Sequence, residues 1–130
     1  MKKINLFLTM FLAIFVMSAC SNDDDNSNNK NSLIIGVWSE SRYKASDFNN
    51  QNWYNLTEPI TLEFKSNGTL IDRYNNVVEA NGTWSISGNI LKENWSDETI
   101  QSEILILNET TLQLKETFEG GDWEIYEYVK

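Results

Sequence analysis

The sequence predicts an all-β fold: a small eight-stranded antiparallel up-and-down barrel, set behind an N-terminal export signal. Three observations carry that expectation. Apolar and polar residues alternate in short runs, as in Ile60-Thr61-Leu62-Glu63-Phe64-Lys65, which is the period of a half-buried strand. Turn dipeptides recur between such runs, at Asn67-Gly68, Gly88-Asn89 and Gly120-Gly121, where Asn and Gly accept positive φ. From Leu33 onward no apolar stripe repeats at helical spacing.

The chain opens with Lys2 and Lys3 and continues as an almost unbroken apolar run from Leu6 to Met17. A basic start, a short greasy stretch and small residues before a cut describe a secretory signal. Crossing a bilayer takes ~20 apolar residues, and this run is shorter. Met17-Ser18-Ala19-Cys20 resembles a bacterial lipobox. That resemblance implies cleavage before Cys20, diacylglycerol on its thiol, and acylation, as with palmitate, of the new amino terminus. The other readings of Cys20 are a free thiol or half of a disulfide. As the only cysteine it has no partner within the chain, and an idle thiol is a hazard in an oxidising compartment. Lipidation accounts for its solitude and its place, since several acyl chains at ~0.8 kcal/mol per buried CH₂ make a stable anchor.

Ser21-Asn22-Asp23-Asp24-Asp25 resembles the acidic tag that sends some Gram-negative lipoproteins to the outer face of the outer membrane. The same composition also makes a solvated linker. The expected organisation is therefore a signal peptide over 1–19, a lipidated Cys20 with a flexible acidic tether over 20–32, and one domain over 33–130. The expected location is the outer membrane, lipid-anchored, on its periplasmic or extracellular face.

The formal net charge is −9 and falls by two more when Lys2 and Lys3 leave with the signal. Such a surface disfavours nucleic acid, whose binding needs Lys and Arg against phosphates. About one hundred residues remain after signal and tether, enough for one modest domain. Five Trp and five Tyr lie in it, able to fill a core while keeping polar handles.

Along the domain, Leu33 to Tyr43 is the first strand and Ala45 to Glu58 a long polar loop. Ile60 to Lys65 is the second strand, and Leu70 to Tyr74 the third. Asn81-Gly82 is either a second Asn-Gly turn or a bulge, since Val77 to Ile86 can run on as one continuous fourth strand. Ile90 to Trp95, Thr99 to Leu107, Leu112 to Lys115 and Trp123 to Val129 complete eight. A meander of eight leaves two raw edges unless the last strand pairs with the first, so closure is expected. Eight strands leave an interior that side chains fill or that holds one small ligand.

In this order the chain resembles the bacterial lipocalin-like lipoproteins. Gly36-Val37-Trp38 matches the Gly-x-Trp signature of lipocalins. Leu62, Phe64 and the Ser66-Asn67-Gly68-Thr69 turn follow, then Asn81-Gly82-Thr83-Trp84-Ser85-Ile86, Gly88-Asn89, Ile106, Leu112 and Leu114, and finally Tyr126 and Tyr128. The resemblance implies an up-and-down barrel open at one end, whose cavity takes a small apolar molecule. It names no ligand, because that fold serves many roles. In larger lipocalins an Arg after the last strand packs on the signature Trp. Here the chain ends at Lys130, so that clasp is missing or made by Arg42 or Arg73.

Period two sorts the faces. Trp38 shares one with Glu40 and Arg42, Trp84 with Ala80, Gly82 and Ile86, and Leu91 with Glu93 and Trp95. If these faces point inward, the ligand-binding set is Trp38, Glu40, Arg42, Phe64, Trp84, Glu93, Trp95, Leu114 and Tyr126. The buried charges then form an ion pair or sit at a wet mouth; alternatively Trp38 and Trp84 are plain core, and a bulge turns Glu40 and Glu93 to solvent. Ile104 to Leu107, apolar on both faces, is a buried strand, a bulge, or a face under the long loop. In that loop, Trp53 and Tyr54 beside Asn and Gln residues can stack on a sugar, or fold as a lid onto the barrel end.

The chain has no histidine, so with Cys20 lipidated no nucleophile–His pair can be assembled and His/Cys metal sites go with it. No catalysis, cofactor or metal is expected. The one enzymatic alternative is a carboxylate pair, Glu40 with Glu93, working as a glycosidase. The expected function is burial of a small hydrophobic or amphipathic ligand in the barrel; the alternative is a surface module binding glycan or protein through Trp53 and Tyr54.

Overall fold

A computed structural model describes residues 23–47 and 52–130, with side chains from Asn28 onward. The expected signal peptide, the expected lipidation site Cys20, and residues 48–51 of the long loop lie outside these. Among the described residues one helix, α1 (Asp23–Ile34), precedes nine strands: β1 (Gly36–Ala45), β2 (Tyr54–Asn55), β3 (Ile60–Phe64), β4 (Thr69–Tyr74), β5 (Val77–Ser87), β6 (Ile90–Asn94), β7 (Thr99–Leu107), β8 (Thr111–Thr117) and β9 (Trp123–Val129).

Each strand from β3 to β9 pairs antiparallel with the next, and β9 returns to β1 from Ser39↔Val129 to Ala45↔Glu124. The eight expected strands, β1 and β3 to β9, thus close into a barrel and leave no long raw edge. The ninth, β2, is a two-residue strand inside what reads as loop. It pairs with Arg42 and Tyr43 of β1 beyond the point where β3 stops at Ser39. Between them the Leu56 amide donates to the Ser41 carbonyl at 2.8 Å. Pro59, which has no N–H to give a ladder, falls in the gap.

Three register shifts decide which side chains face in. They lie between Glu40 and Arg42, between Asp72 and Arg73, and between Ile104 and Ile106. Because side chains alternate with period two, one extra residue reverses every face beyond it. The shift in β7 absorbs Leu105, leaving Leu107 opposite core residue Leu112 and Ile106 opposite Gln113. The bulge reading of this doubly apolar run holds. In β5 the strand runs straight through Asn81-Gly82, and the shift sits instead near Glu79. A Cβ on Gly82 would stand 2.6 Å from the Asn94 carbonyl oxygen and 2.9 Å from the Trp95 ring; the glycine is where that ring lies.

One end of the barrel is packed shut. Trp38, Phe64, Leu70, Leu91 and Leu112 are fully buried there with Ile104, Leu114 and Tyr128, and Ile34 of α1 joins them with no exposed surface. The stretch over 20–32 expected to be a flexible tether is helical from Asp23 among its described residues. It lacks the amphipathic stripe that would have announced it, because its last turns carry the docking. Ile34 inserts, and Lys30 Nζ donates to the Gly88 carbonyl and Asn89 Oδ1, each at 2.9 Å.

The final carbonyls of α1, which have no partner within a helix, are met by the barrel. Trp38 Nε1 donates to the Ile34 carbonyl at 2.7 Å and Lys130 Nζ to that of Leu33 at 3.0 Å. A cation also suits the negative end of the helix dipole. The same Lys130 ammonium stands 4.6 Å from the Trp38 ring centre. The clasp on the signature Trp therefore exists, made by Lys130 and not by Arg42 or Arg73. Gly36 permits it: at φ +133° it holds a conformation L side chains rarely adopt, and a Cβ there would meet Lys130 Cε at 2.6 Å.

Candidate functional site at the open end of the barrel

The opposite end is built differently. Glu40 lies across from Tyr128, and Asp72 from Leu62, so both face the interior. Glu93 lies across from Trp84 and Ile100, and Glu116 across from Glu124. Glu124 stands two residues from Tyr126, whose hydroxyl donates to it at 2.8 Å. The acids other than Glu93 are partly exposed, as are Tyr126, Trp95 and Ile100. Side chains that point into a barrel and still reach water mark an open mouth.

Burial in this acidic surround shifts protonation. Desolvation pushes the Glu93 carboxyl up to about 7, helped by Glu116, Asp72 and Glu98 and opposed by the Trp95 indole, which donates to it at 3.2 Å. Desolvation also raises Glu40, with Asp72 adding to it, and raises Glu116, with Glu124 and Glu98 adding to it. Asp72 moves the same way through its own desolvation and the charge of Glu79. The Tyr126 and Tyr128 phenols are held neutral well above their ordinary range, first by burial and then by the neighbouring acids.

The aromatic lining is graded from rim to interior. Tyr54 pairs with Tyr43, their ring centres 5.9 Å apart, and Tyr43 stacks on Tyr126 at 5.8 Å. Trp95 lies over Gly82 on the other wall.

The expected ligand-binding set divides. Glu40, Glu93, Trp95 and Tyr126 gather at the mouth. Trp38, Phe64, Trp84 and Leu114 belong to the packed half, where Phe64 meets Trp84 edge-on at 5.8 Å and the Trp84 indole donates to the Lys65 carbonyl at 3.0 Å. Arg42 is on the wrong face for the interior. The register shift after Glu40 leaves Glu40 inside and turns Arg42 out, where its guanidinium donates twice to Glu127, at 2.8 and 3.0 Å. Gln113 Nε2 donates to the same carboxylate at 2.6 Å. The Arg42 hydrogen bond holds Glu127 below its ordinary value, against the effect of burial. No ion pair forms inside the barrel from the residues expected to make one.

Trp53 and Tyr54 part company. Tyr54 faces the mouth, while the Trp53 ring lies 4.4 Å from the Arg42 guanidinium and 4.9 Å from the Lys44 ammonium on the outer wall. They do not form one stacking platform.

The sequence reading missed Asp72, Glu116, Glu124, Tyr43 and Ser102. For three of them the signal was present, since one more step of alternation from Leu70, Leu114 or Tyr126 reaches Asp72, Glu116 or Glu124.

A model of the lipocalin-like domain matches residues 34–114. Among solved structures, a lipocalin-like protein from Bacteroides uniformis superposes with a TM-score of 0.54 at 12% identity, over 72% of this chain and 96% of that one. At that identity the likeness concerns the fold. No curated protein matches.

Proposed function

The chain belongs to the lipocalin-like domain family, and from that premise we propose that it holds a small amphipathic molecule in the open half of its barrel, without catalysis. The observation that carries this reading is the contrast between the two ends. One is filled and capped by α1, while at the other inward-facing Glu40, Trp95, Ile100, Glu116 and Tyr126 remain within reach of water. A small ligand there loses apolar surface to water at ~25 cal/mol per Å², and a few polar groups orient it.

The lipobox-like Cys20 supports an anchor in the outer membrane. It precedes α1, and α1 docks at the closed end, so an anchored barrel would open away from the lipid. Replacing Cys20→Ser is expected to move the protein from the membrane fraction to the soluble one. Unchanged membrane retention would remove the anchor from the proposal.

Ligand uptake is read by Trp95. A short brominated alcohol is expected to quench tryptophan emission in a saturable manner, and Trp95→Phe to remove the saturable part. Linear, collisional quenching alike in both proteins would reject occupancy of the mouth.

A further inference from the structure

We propose that the mouth of the barrel is a receptor site for a small organic ammonium ion with an apolar body, an inference that rests on the ligand-binding reading above. The charge distribution is one-sided in a way composition does not require. Glu40, Asp72, Glu93, Glu116 and Glu124 come from five different strands and all face in. The cations of those strands are all turned out. Arg42 binds Glu127, Arg73 binds Glu63 at 2.6 Å, Lys44 and Lys115 flank Ile125 on the outer wall, and Lys92 lies across from Gln101. Among the described residues no Lys or Arg occupies an inward strand position at the mouth.

A second observation is independent of the acids. Ser102 is 1% exposed and its Oγ has no hydrogen-bond partner among the described residues. It faces in opposite Leu91, two residues from Ile100, which pairs with Glu93. Continuing the β7–β8 register one step past Glu103↔Lys115 sets it against Glu116. A buried hydroxyl left unbonded is costly, and by register this one faces inward, one alternation step deeper than the Glu93–Ile100 pair.

The chemistry of the walls selects the ion. No three of the described acids converge into a group able to hold a metal ion, so the negative charge is spread over a space larger than a metal shell. Tyr126 and Trp95 bring aromatic rings to the mouth, and such rings attract ammonium groups. Burial that raises the carboxyl groups also leaves them the most to gain from an arriving cation.

Three probes that share one apolar body test this by calorimetry on the purified protein: phenethylammonium, neutral 2-phenylethanol and anionic phenylacetate. Phenethylammonium is expected to bind at least roughly tenfold more tightly than the alcohol, and phenylacetate most weakly of the three. Asp72→Asn and Glu116→Gln, both at partly exposed positions, should each weaken phenethylammonium several-fold more than they weaken 2-phenylethanol. Ser102→Ala should also weaken the ammonium probe while leaving the urea midpoint unchanged or higher, because it removes an unbonded hydroxyl. Equal or tighter binding of the alcohol or the carboxylate overturns the ammonium assignment and keeps the ligand-binding reading. No binding of any of the three to the folded protein overturns both.

Discussion

Replacing Glu93 with Gln is expected to stabilise the protein by about 3 kcal/mol at pH 8 and to change it little at pH 4. The carboxyl is 6% exposed, and burial holds it at about 7 against an ordinary value of 4.5. Below 4.5 the folded and unfolded chains both keep the proton, so the group is neutral in each state. Between 4.5 and 7 the unfolded chain releases the proton that the folded chain retains, and stability falls as pH rises. Above 7 the folded chain carries a buried negative charge and the loss is complete. Gln stays neutral throughout, and its amide oxygen can still accept from the Trp95 indole. Urea midpoints of both proteins from pH 4 to pH 9 check this. The wild-type curve should descend more steeply than that of the variant, with Glu40, Asp72 and Glu116 supplying the slope that remains. Parallel curves would mean that Glu93 is already ionised in the fold at no cost. An ammonium ligand should act on the wild type like the substitution, by stabilising the charged form and flattening its descent.

That carboxyl illustrates what a sequence displays and what it hides. The alternation Leu91, Glu93, Trp95 was readable, as was the expectation that this face points inward. The barrel was readable for the same reason: turn chemistry at Asn67-Gly68 and Gly88-Asn89 delimits strands whose period leaves little choice of face. Hidden was the point at which the period slips. Glu40 and Arg42 look equivalent from Trp38, yet one extra residue at Ser41 sends the acid inside and the cation out. A bulge carries no reliable local signature, because the residue it absorbs is ordinary and its position is set by the partner strand. The consequence is chemical as well as geometric. The expected interior carried Arg42 beside the acids, as an ion pair or at a wet mouth; among the described residues the one that forms holds acids without a cation. Helix α1 was hidden for another reason. Its stability comes from one inserted side chain and from barrel groups that bind its final carbonyls, and none of these appears as a periodic pattern in residues 23–34. Lys130, at the far end of the chain, was legible only as a missing Arg.

Truncating Trp38 is expected to have the largest effect on stability of any single change in the closed end. Trp38→Ala should cost about 3–5 kcal/mol, the range for removing a large buried aromatic. The residue is fully buried and touches two elements at once, since its indole N–H binds the last carbonyl of α1 while its ring receives the Lys130 ammonium. Trp38→Phe separates these roles. It keeps a ring in the core but withdraws the donor, leaving the Ile34 carbonyl buried without its partner at a cost of about 1–3 kcal/mol. Lys130→Met keeps the aliphatic stem and removes the charge, for about 0.5–1 kcal/mol at this exposed site. Hydrogen exchange distinguishes a local loss from a global one. In Trp38→Phe the amides of α1 should exchange faster while those of β4 to β8 stay protected, because the helix is held by its C-terminal contacts and the sheet by its own ladder. Uniform acceleration across the sheet would show instead that the helix and barrel unfold as one unit. Trp38→Phe keeps a ring in the core and leaves the residues of the mouth unaltered, so it should retain the saturable quenching of Trp95 even as the helix loosens.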